Sequence, residues 1–174
     1  HADAMSGQQR QLVLSFLAEP SDVNFGGKVH GGQVMRWIDQ AGYAAAGGWS
    51  GHYSVTVAVG GIRFVAPIRI GDLVSVEATL ILTGTTSMHF AVDVRARDPR
   101  ADAGSERLCT HCVIVFVALD APEGSPVAVP AWAPQSDEDR RLAEYAQRIM
   151  ALGKDVEQTV ASYHQVEPGT ESKP

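Results

Sequence analysis

Residues 32–48 read GQVMRWIDQAGYAAAGG, and this stretch decides the fold. Apolar residues recur in it at spacings of three and four, which predicts an amphipathic helix over residues 32–46. The residues that share the apolar face are Val34, Trp37, Ile38, Ala41 and Ala45. Gly47 and Gly48 are expected to end the helix, because glycine readily adopts the backbone conformation that closes a helix. Such a helix is about 20 Å long, enough to run through a small domain.

Strand patterns flank this helix on both sides. Residues 11–16 alternate polar and apolar side chains, and residues 54–120 do so in long stretches separated by turns. The alternation predicts antiparallel strands with one face exposed to solvent. One strand, one apolar helix and then a meander of strands indicate an α+β fold in which a curved antiparallel sheet wraps around the helix. The exposed edges of such a sheet predict pairing with a second copy of the chain.

The C-terminal third of the chain has a different composition. Residues 8–122 are predicted to form the α+β domain, and the proline-rich residues 123–135 an extended connector. Residues 136–166 are predicted to be a helical extension, with a helix over residues 137–152 that Ser136 caps. Residues 167–174 are expected to be a disordered tail.

Charge and composition narrow the function. The formal net charge of −6 argues against a nucleic-acid surface, which requires a concentrated excess of Lys and Arg. No apolar run has the length of a membrane span, and no leader of the signal-peptide kind is visible, so no membrane association is expected. Two cysteines make no disulfide framework, which favours the cytoplasm.

Cys109 and Cys112 flank Thr110 and His111 in a pattern that superficially suggests a metal or redox site. Residues three apart on a strand point to opposite faces, so the two sulfur atoms are not expected to meet on one ion. We therefore predict no metal site.

Asp39 lies on the predicted helix, away from the apolar face. By itself this is the position of a solvent-exposed carboxylate. The helix begins near Gly31 and Gly32, however, and its free amide groups suit an oxyanion or a phosphate. Asp39 lies roughly 10 Å further along the axis, too far for both to contact one carbonyl within a chain. If Asp39 acts on an atom polarised at that end, it therefore comes from a dimer partner.

A resemblance to a known family rests on several strings in one order. The first is residues 20–42 (PSDVNFGGKVHGGQVMRWIDQAG), and the others are 56–59 (TVAV), 63–68 (RFVAPI), 71–74 (GDLV), 84–88 (GTTSM) and 116–120 (FVALD). Together they resemble the acyl-CoA hydrolases of the hotdog superfamily, which include cytosolic bacterial acyl-CoA thioesterases and their tandem-domain animal relatives. The resemblance implies a hotdog fold, a double-hotdog dimer and its assembly as a trimer of dimers.

The same resemblance implies roles for particular residues. It identifies Asp39 as the catalytic acid and Asn24 as a loop residue that meets it across the dimer interface, with Thr56 close by. Gly31 or Gly32 would supply the amides that polarise the thioester carbonyl. Contacts to coenzyme A are expected from Thr86, Ser87, Arg63 and His30.

The implied reaction is hydrolysis of acyl-CoA to a fatty acid and CoA. Aspartate is ionised at neutral pH and acts on a thioester either as a general base or as a nucleophile. No cofactor is expected, since coenzyme A is part of the substrate. Two alternatives remain at this stage. One is a non-catalytic acyl-CoA-binding hotdog module, and the other is an enoyl-thioester hydratase or dehydratase that would use His30 or His52 beside an aspartate.

Overall fold

The computed structural model describes residues 8–165, which form a five-stranded antiparallel sheet and two long helices. The elements in chain order are β1 (Gln11–Leu17), α1 (Gly31–Ser50), β2 (Tyr53–Phe64), β3 (Leu73–Thr83), β4 (Ser87–Arg97), β5 (Arg107–Leu119) and α2 (Asp137–Gln165). The strand order across the sheet is β1-β3-β4-β5-β2, so β1 and β2 are its edges. A sheet curved around one central helix is the predicted hotdog fold, with the expected helical extension at its C-terminal end.

Helix α1 lies against the inner face of the sheet with the predicted apolar side. All five residues of that side are buried, and Ile38 and Ala41 are fully so. Alternate residues of β4 oppose them, and Phe16 of β1 packs edge-on against Trp37 with ring centroids 4.7 Å apart. Each large apolar side chain buried in this way contributes about 1.5–3 kcal/mol, which fixes the rotation of α1 about its axis.

The predicted end of α1 is wrong by one turn. Gly47 and Gly48 lie inside the helix, which continues to Ser50 and closes at Gly51. Gly51 has a φ of 72°, and its amide donates to the carbonyl of Gly47. Trp49 explains the extra turn, because its side chain is buried and its indole Nε1 donates to the carbonyl of Pro130 at 2.8 Å. This packing outweighs the low helix propensity of the two glycines.

Helix α2 covers part of the outer face of the sheet and is longer than predicted. Ser136 caps it as expected, since its Oγ accepts from the amide of Asp139 at 3.0 Å. The helix continues to Gln165, beyond the predicted residue 152. The predicted end of the extension at residue 166 and the predicted tail, residues 167–174, lie outside the described residues. Neither α2 nor any other helix within residues 8–165 has the length and hydropathy to cross a membrane.

Candidate active site

Asp39 of α1 and Thr56 of β2 form a hydrogen-bonded pair. The hydroxyl Oγ1 of Thr56 donates to Oδ1 of Asp39 at 2.7 Å. Asp39 is exposed although the adjacent Ile38 is fully buried, because successive helix residues point about 100° apart. Thr56 faces the helix, since it lies opposite the inward-facing Phe116 of β5. The bond holds one carboxylate oxygen in place and leaves the other for a water molecule or a substrate.

Asn24 and Gly31 lie together in a second place. Both line a hollow of about 330 Å³ together with Lys28 and Phe64. The Oδ1 of Asn24 accepts from the amides of Gly26 and, at 3.3 Å, of Lys28, which folds the loop around the asparagine. The side-chain Nδ2 of Asn24 is a hydrogen-bond donor, which suits a water molecule or a carbonyl oxygen.

Gly31 opens α1 beside this hollow. Within residues 8–165 the side chain of His30, the N-cap residue, makes no capping hydrogen bond. The amides of Gly31 and Gly32 have no partner inside the helix, since the first turn has no preceding carbonyls. Together with the partial positive charge of the helix end, they suit an oxyanion. A side chain at Gly31 would extend towards the ring of Phe64, 3.7 Å away.

One chain does not bring these two groups of residues together. Asp39 follows Gly31 by eight residues, a rise of about 12 Å along α1. On β2, Thr56 lies near one end and Phe64 at the other. The predicted site residues therefore form two halves, Asn24 with Gly31 and Asp39 with Thr56.

Large apolar side chains are exposed along α1 and β2, the elements that carry the two halves. Exposed large apolar residues on α1 and β2 include Tyr43, Tyr53, Val57, Val59, Ile62 and Phe64. Because β2 is an edge strand, its outer backbone groups are available for pairing with another strand. Exposed apolar residues beside an unpaired strand edge are typical of a protein–protein interface.

The residues predicted to contact coenzyme A lie at both ends of the sheet. Ser87 pairs with Val117, which pairs with Val55 of β2, so Thr86 and Ser87 share the end of the sheet that carries Thr56. Arg63 instead pairs with His111 near the other end of the sheet. His30 lies at that end too, because it directly precedes Gly31. The roles of these residues stay predictions.

The cysteines differ from expectation. A register shift in the pairing of β4 with β5 falls opposite Cys109, and both Cys109 and Cys112 belong to the same buried core cluster. The predicted separation of the two side chains onto opposite faces is therefore wrong. Both thiols are free, and within residues 8–165 no three potential ligands lie close enough to hold a metal ion. Burial raises the pKa of both, that of Cys112 to about 12.

Phe64 and Lys28 contribute to the hollow although the sequence analysis gives neither residue a role. An apolar residue at a strand end and a lysine in a glycine-rich loop are each common on protein surfaces. Only their placement beside Asn24 and Gly31 in the folded chain marks them.

Comparison with known proteins gives consistent matches. The sequence model of the thioesterase superfamily matches residues 26–103. The acyl-CoA thioester hydrolase YciA of Escherichia coli is 35% identical over 123 residues, which cover 70% of this chain and 92% of that protein.

Solved structures match over nearly the whole chain. An acyl-CoA hydrolase of Staphylococcus aureus, in complex with butyryl coenzyme A, coenzyme A and coenzyme A disulfide, superposes with a TM-score of 0.77 at 25% identity, covering 94% of this chain and 98% of that one. An apo-hexameric acyl-CoA thioesterase superposes with a TM-score of 0.77 at 28% identity, covering 86% and 94%. The S. aureus enzyme was also solved with alanine in place of an asparagine, of an aspartate 15 residues later and of a threonine 17 residues after that.

Proposed function

We propose, since this chain belongs to the thioesterase superfamily and within it to the acyl-CoA thioester hydrolases, that it cleaves acyl-CoA at a site shared by two subunits. Its products are a carboxylic acid and free coenzyme A, and Asp39 is the reacting carboxylate. The observation that carries the proposal is the hydrogen bond of 2.7 Å from Thr56 to Asp39, which orients a carboxylate at an open, apolar surface.

The spacing of three residues supports this assignment. Asn24 precedes Asp39 by 15 residues, and Asp39 precedes Thr56 by 17. The three positions replaced by alanine in the S. aureus acyl-CoA hydrolase are the same residue types at the same intervals. Two of our three residues form a direct contact in the folded chain, and the third lies in the hollow beside Gly31.

A two-fold dimer would unite the two halves of the site. If the β2 edges of two chains pair antiparallel about an axis near Gly60, Thr56 lies beside Phe64 of the partner subunit. Asp39 then approaches the hollow that contains the partner subunit's Asn24 and Gly31. The same contact would cover the apolar surface and the unpaired edge of β2. Higher assembly, as in the similar hexameric thioesterases, would build on this dimer.

Within such a site each group has a chemical task. The free oxygen of Asp39 accepts a proton from a water that the partner subunit's Asn24 helps to hold, and that water attacks the thioester carbonyl carbon. The carbonyl oxygen gains negative charge, which the amides of Gly31 and Gly32 stabilise. Collapse of the tetrahedral intermediate expels the CoA thiolate, which takes up a proton. In the alternative course Asp39 attacks the carbonyl carbon itself and water cleaves the resulting anhydride.

This chemistry requires no cofactor, because coenzyme A enters with the substrate and leaves as a product. We place the reaction in the cytoplasm, in keeping with two cysteines that are both free thiols.

The two alternative functions have less support. A hydratase would need a histidine near the aspartate, but the side chain that contacts Asp39 is the threonine hydroxyl of Thr56. A purely binding module would have no chemical use for a carboxylate that a hydrogen bond orients at the interface. Release of free thiol from acyl-CoA separates both alternatives from hydrolysis.

The first experiment measures CoA release from a chain-length panel of acyl-CoAs by the wild type and by Asp39→Asn. Loss of a general base lowers kcat by about 10²–10⁴-fold, and oligomer size should be retained because asparagine has nearly the same size and shape as aspartate. Glu144→Gln, which removes an exposed carboxylate from the N-terminal half of α2, is the control and should be fully active. Normal turnover by Asp39→Asn would refute the assignment.

The second experiment asks whether one site uses two chains. Asp39→Asn and Asn24→Ala are each expected to be inactive, but a mixed dimer contains one site with an intact Asn24 and an intact Asp39. Subunits of the two variants, mixed after mild dissociation, should therefore recover about a quarter of the wild-type activity, since half of the random dimers are mixed and one of their two sites is intact. A site formed within one chain predicts no recovery.

A further inference from the structure

The C-terminal half of α2 extends beyond the sheet on which the N-terminal half packs. Leu142, Ala146 and Ile149 pack on the outer face of the sheet, and Ile149 lies directly over Gly60 and Gly61 of the edge strand β2. Every residue from 150 to 165 is exposed. At 1.5 Å per residue, this overhang is about 24 Å long, which corresponds to several strand spacings.

The apolar stripe of α2 does not stop at the sheet edge. Val156 follows Ile149 by seven residues, or two helical turns, and Val160 and Tyr163 follow at spacings of four and three; the three side chains are 63%, 49% and 70% exposed. The opposite face of the same segment carries polar residues such as Gln158 and Ser162. An amphipathic helix is stabilised mainly by packing of its apolar face, and these three side chains are still largely exposed, so the stripe predicts a further surface supplied by a partner.

A groove of about 770 Å³ lies on the same outer face, and residues of the same chain's α2 between 149 and 157, Val156 among them, form one of its walls. Its floor is formed by outward-facing residues of β2, β4 and β5, among them Ala58, His89 and Val115, and it is mostly apolar. Val57, Ala58 and Val59 of its lining lie on the Thr56 side of the place where α2 crosses β2, at Gly60 and Gly61.

The proposed dimer brings a second α2 to this groove. With the two-fold axis near Gly60, the helix of one subunit crosses β2 just on the Phe64 side of the axis, at Gly60 and Gly61. Symmetry places the partner's helix just on the other side, which is the Thr56 side. Its overhang then runs across the joined strands onto the floor of the groove.

We propose that residues 150–165 of each α2 dock into the groove of the partner subunit, so that two antiparallel helices pack side by side on the outer face of the joined sheet. The inference rests on the β2 pairing of the proposed function. The occupant is a second copy of this chain, because the overhang has the length, the direction and the apolar stripe that the groove requires. Each subunit supplies both a helix and a groove, so the contact is satisfied in a dimer and requires no third subunit.

Site-specific photo-crosslinking tests the contact directly. A photoreactive phenylalanine analogue is placed at Val160 in an otherwise wild-type chain, and at Gln158 as the control on the opposite helix face. Nitrogen-15-labelled and unlabelled chains are mixed before irradiation, so that mass spectrometry distinguishes links between chains from links within one. Position 160 should give links between chains to residues 87–89 or 113–115, at least about tenfold more often than position 158.

A second measurement does not depend on the analogue. Val156→Glu/Val160→Glu places two charges on the docking stripe, whereas Gln158→Glu/Ser162→Glu places the same charges on the opposite face. Sedimentation over a concentration series should show the dissociation constant of the dimer raised at least about tenfold by the first pair and not by the second. Equal effects, or links within one chain only, would overturn the proposal.

These results separate this inference from the proposed function. If the wild type is a dimer that releases CoA and the links are missing, only the docking of α2 is wrong. If the wild type sediments as a monomer, both the docking and the shared site are wrong. Binding of a fatty acid in the groove of the intact dimer would also contradict the docking, because the helix and the ligand would need the same floor.

Discussion

Thr56 donates a hydrogen bond of 2.7 Å to Asp39 across the gap between β2 and α1. The two residues are 17 positions apart in the sequence, and the pattern of its own element marks neither of them as functional. Asp39 alone has the features of a solvent-exposed helix residue, and Thr56 those of a strand residue. Their contact converts two ordinary surface residues into an oriented carboxylate.

Removal of the threonine hydroxyl should lower turnover while leaving the fold intact. A hydrogen bond to a charged group is worth about 1.5–3 kcal/mol, so Thr56→Val is expected to lower kcat by roughly 10–100-fold. Thr56→Ser keeps the donor and should retain most of the activity. The measurement is kcat and KM for CoA release, with circular dichroism to confirm folding. Equal activity of the valine and serine variants would exclude an orienting role for the hydroxyl.

His89 should make stability depend on pH. Burial lowers the pKa of His89 below its usual 6.5, so in mildly acidic solution the unfolded chain binds a proton there that the folded chain does not. The free energy of unfolding contributed by this group is therefore fully present above pH 6.5 and decreases as the pH falls from 6.5 towards the folded value.

Urea unfolding at pH 7.5 and 5.5 measures this effect. His89→Leu removes the titrating group from the groove floor. The variant should lose less stability than the wild type between the two pH values. The same loss in both proteins would assign the pH dependence to other groups.

The buried thiols should resist alkylation in the folded protein. Burial raises the pKa of Cys112 to about 12, and the charge of Asp93 adds to the effect. At pH 8 its thiolate is therefore scarce as well as inaccessible. Iodoacetamide should label Cys109 and Cys112 at least about a hundredfold more slowly in the folded than in the urea-unfolded chain. Ser162→Cys, on the exposed end of α2, is the control that should react at the rate of an unfolded thiol.

The order of one strand, one apolar helix and a meander of strands predicted the α+β fold, and the apolar periodicity of α1 predicted which face of the helix is buried, as Val34, Trp37 and Ile38 show. Its end was not predictable from local rules. Gly47 and Gly48 are typical of helix ends, but burial of Trp49 adds another turn. The positions of Cys109 and Cys112 depend on a register shift in the sheet, which strict alternation does not include.

The site was predictable only in part for a similar reason. The axial distance along α1 indicated that Asp39 and Gly31 cannot serve one substrate within a chain. The partner of Asp39 within the chain follows from the curvature of the sheet, which brings Thr56 over the helix. The position of the outer groove depends on where α2 crosses β2. The crossing lies at Gly60 and Gly61, and no sequence pattern predicts that Ile149 contacts these two glycines.

Two glycines of α1 should respond in opposite directions to the same substitution. A Cβ at Gly42 would lie 2.6 Å from Cε2 of Phe116 and 3.3 Å from Cγ2 of Ile114, both of which are buried. Gly42→Ala is therefore expected to lower the free energy of unfolding by about 1–3 kcal/mol, the usual cost of overpacking a core. At Gly48, which is exposed, a Cβ meets no atom within 4 Å among residues 8–165.

Gly48→Ala should raise the free energy of unfolding by about 0.5–1 kcal/mol, because alanine favours the helix and reduces the freedom of the unfolded chain. Urea unfolding of the two single variants measures the contrast. Gly42→Ala/Phe116→Leu is a further check, since the smaller, flexible leucine yields to the new methyl group and the two losses should not add. Destabilisation of similar size at both glycines would mean that α1 does not approach β5 most closely at Gly42.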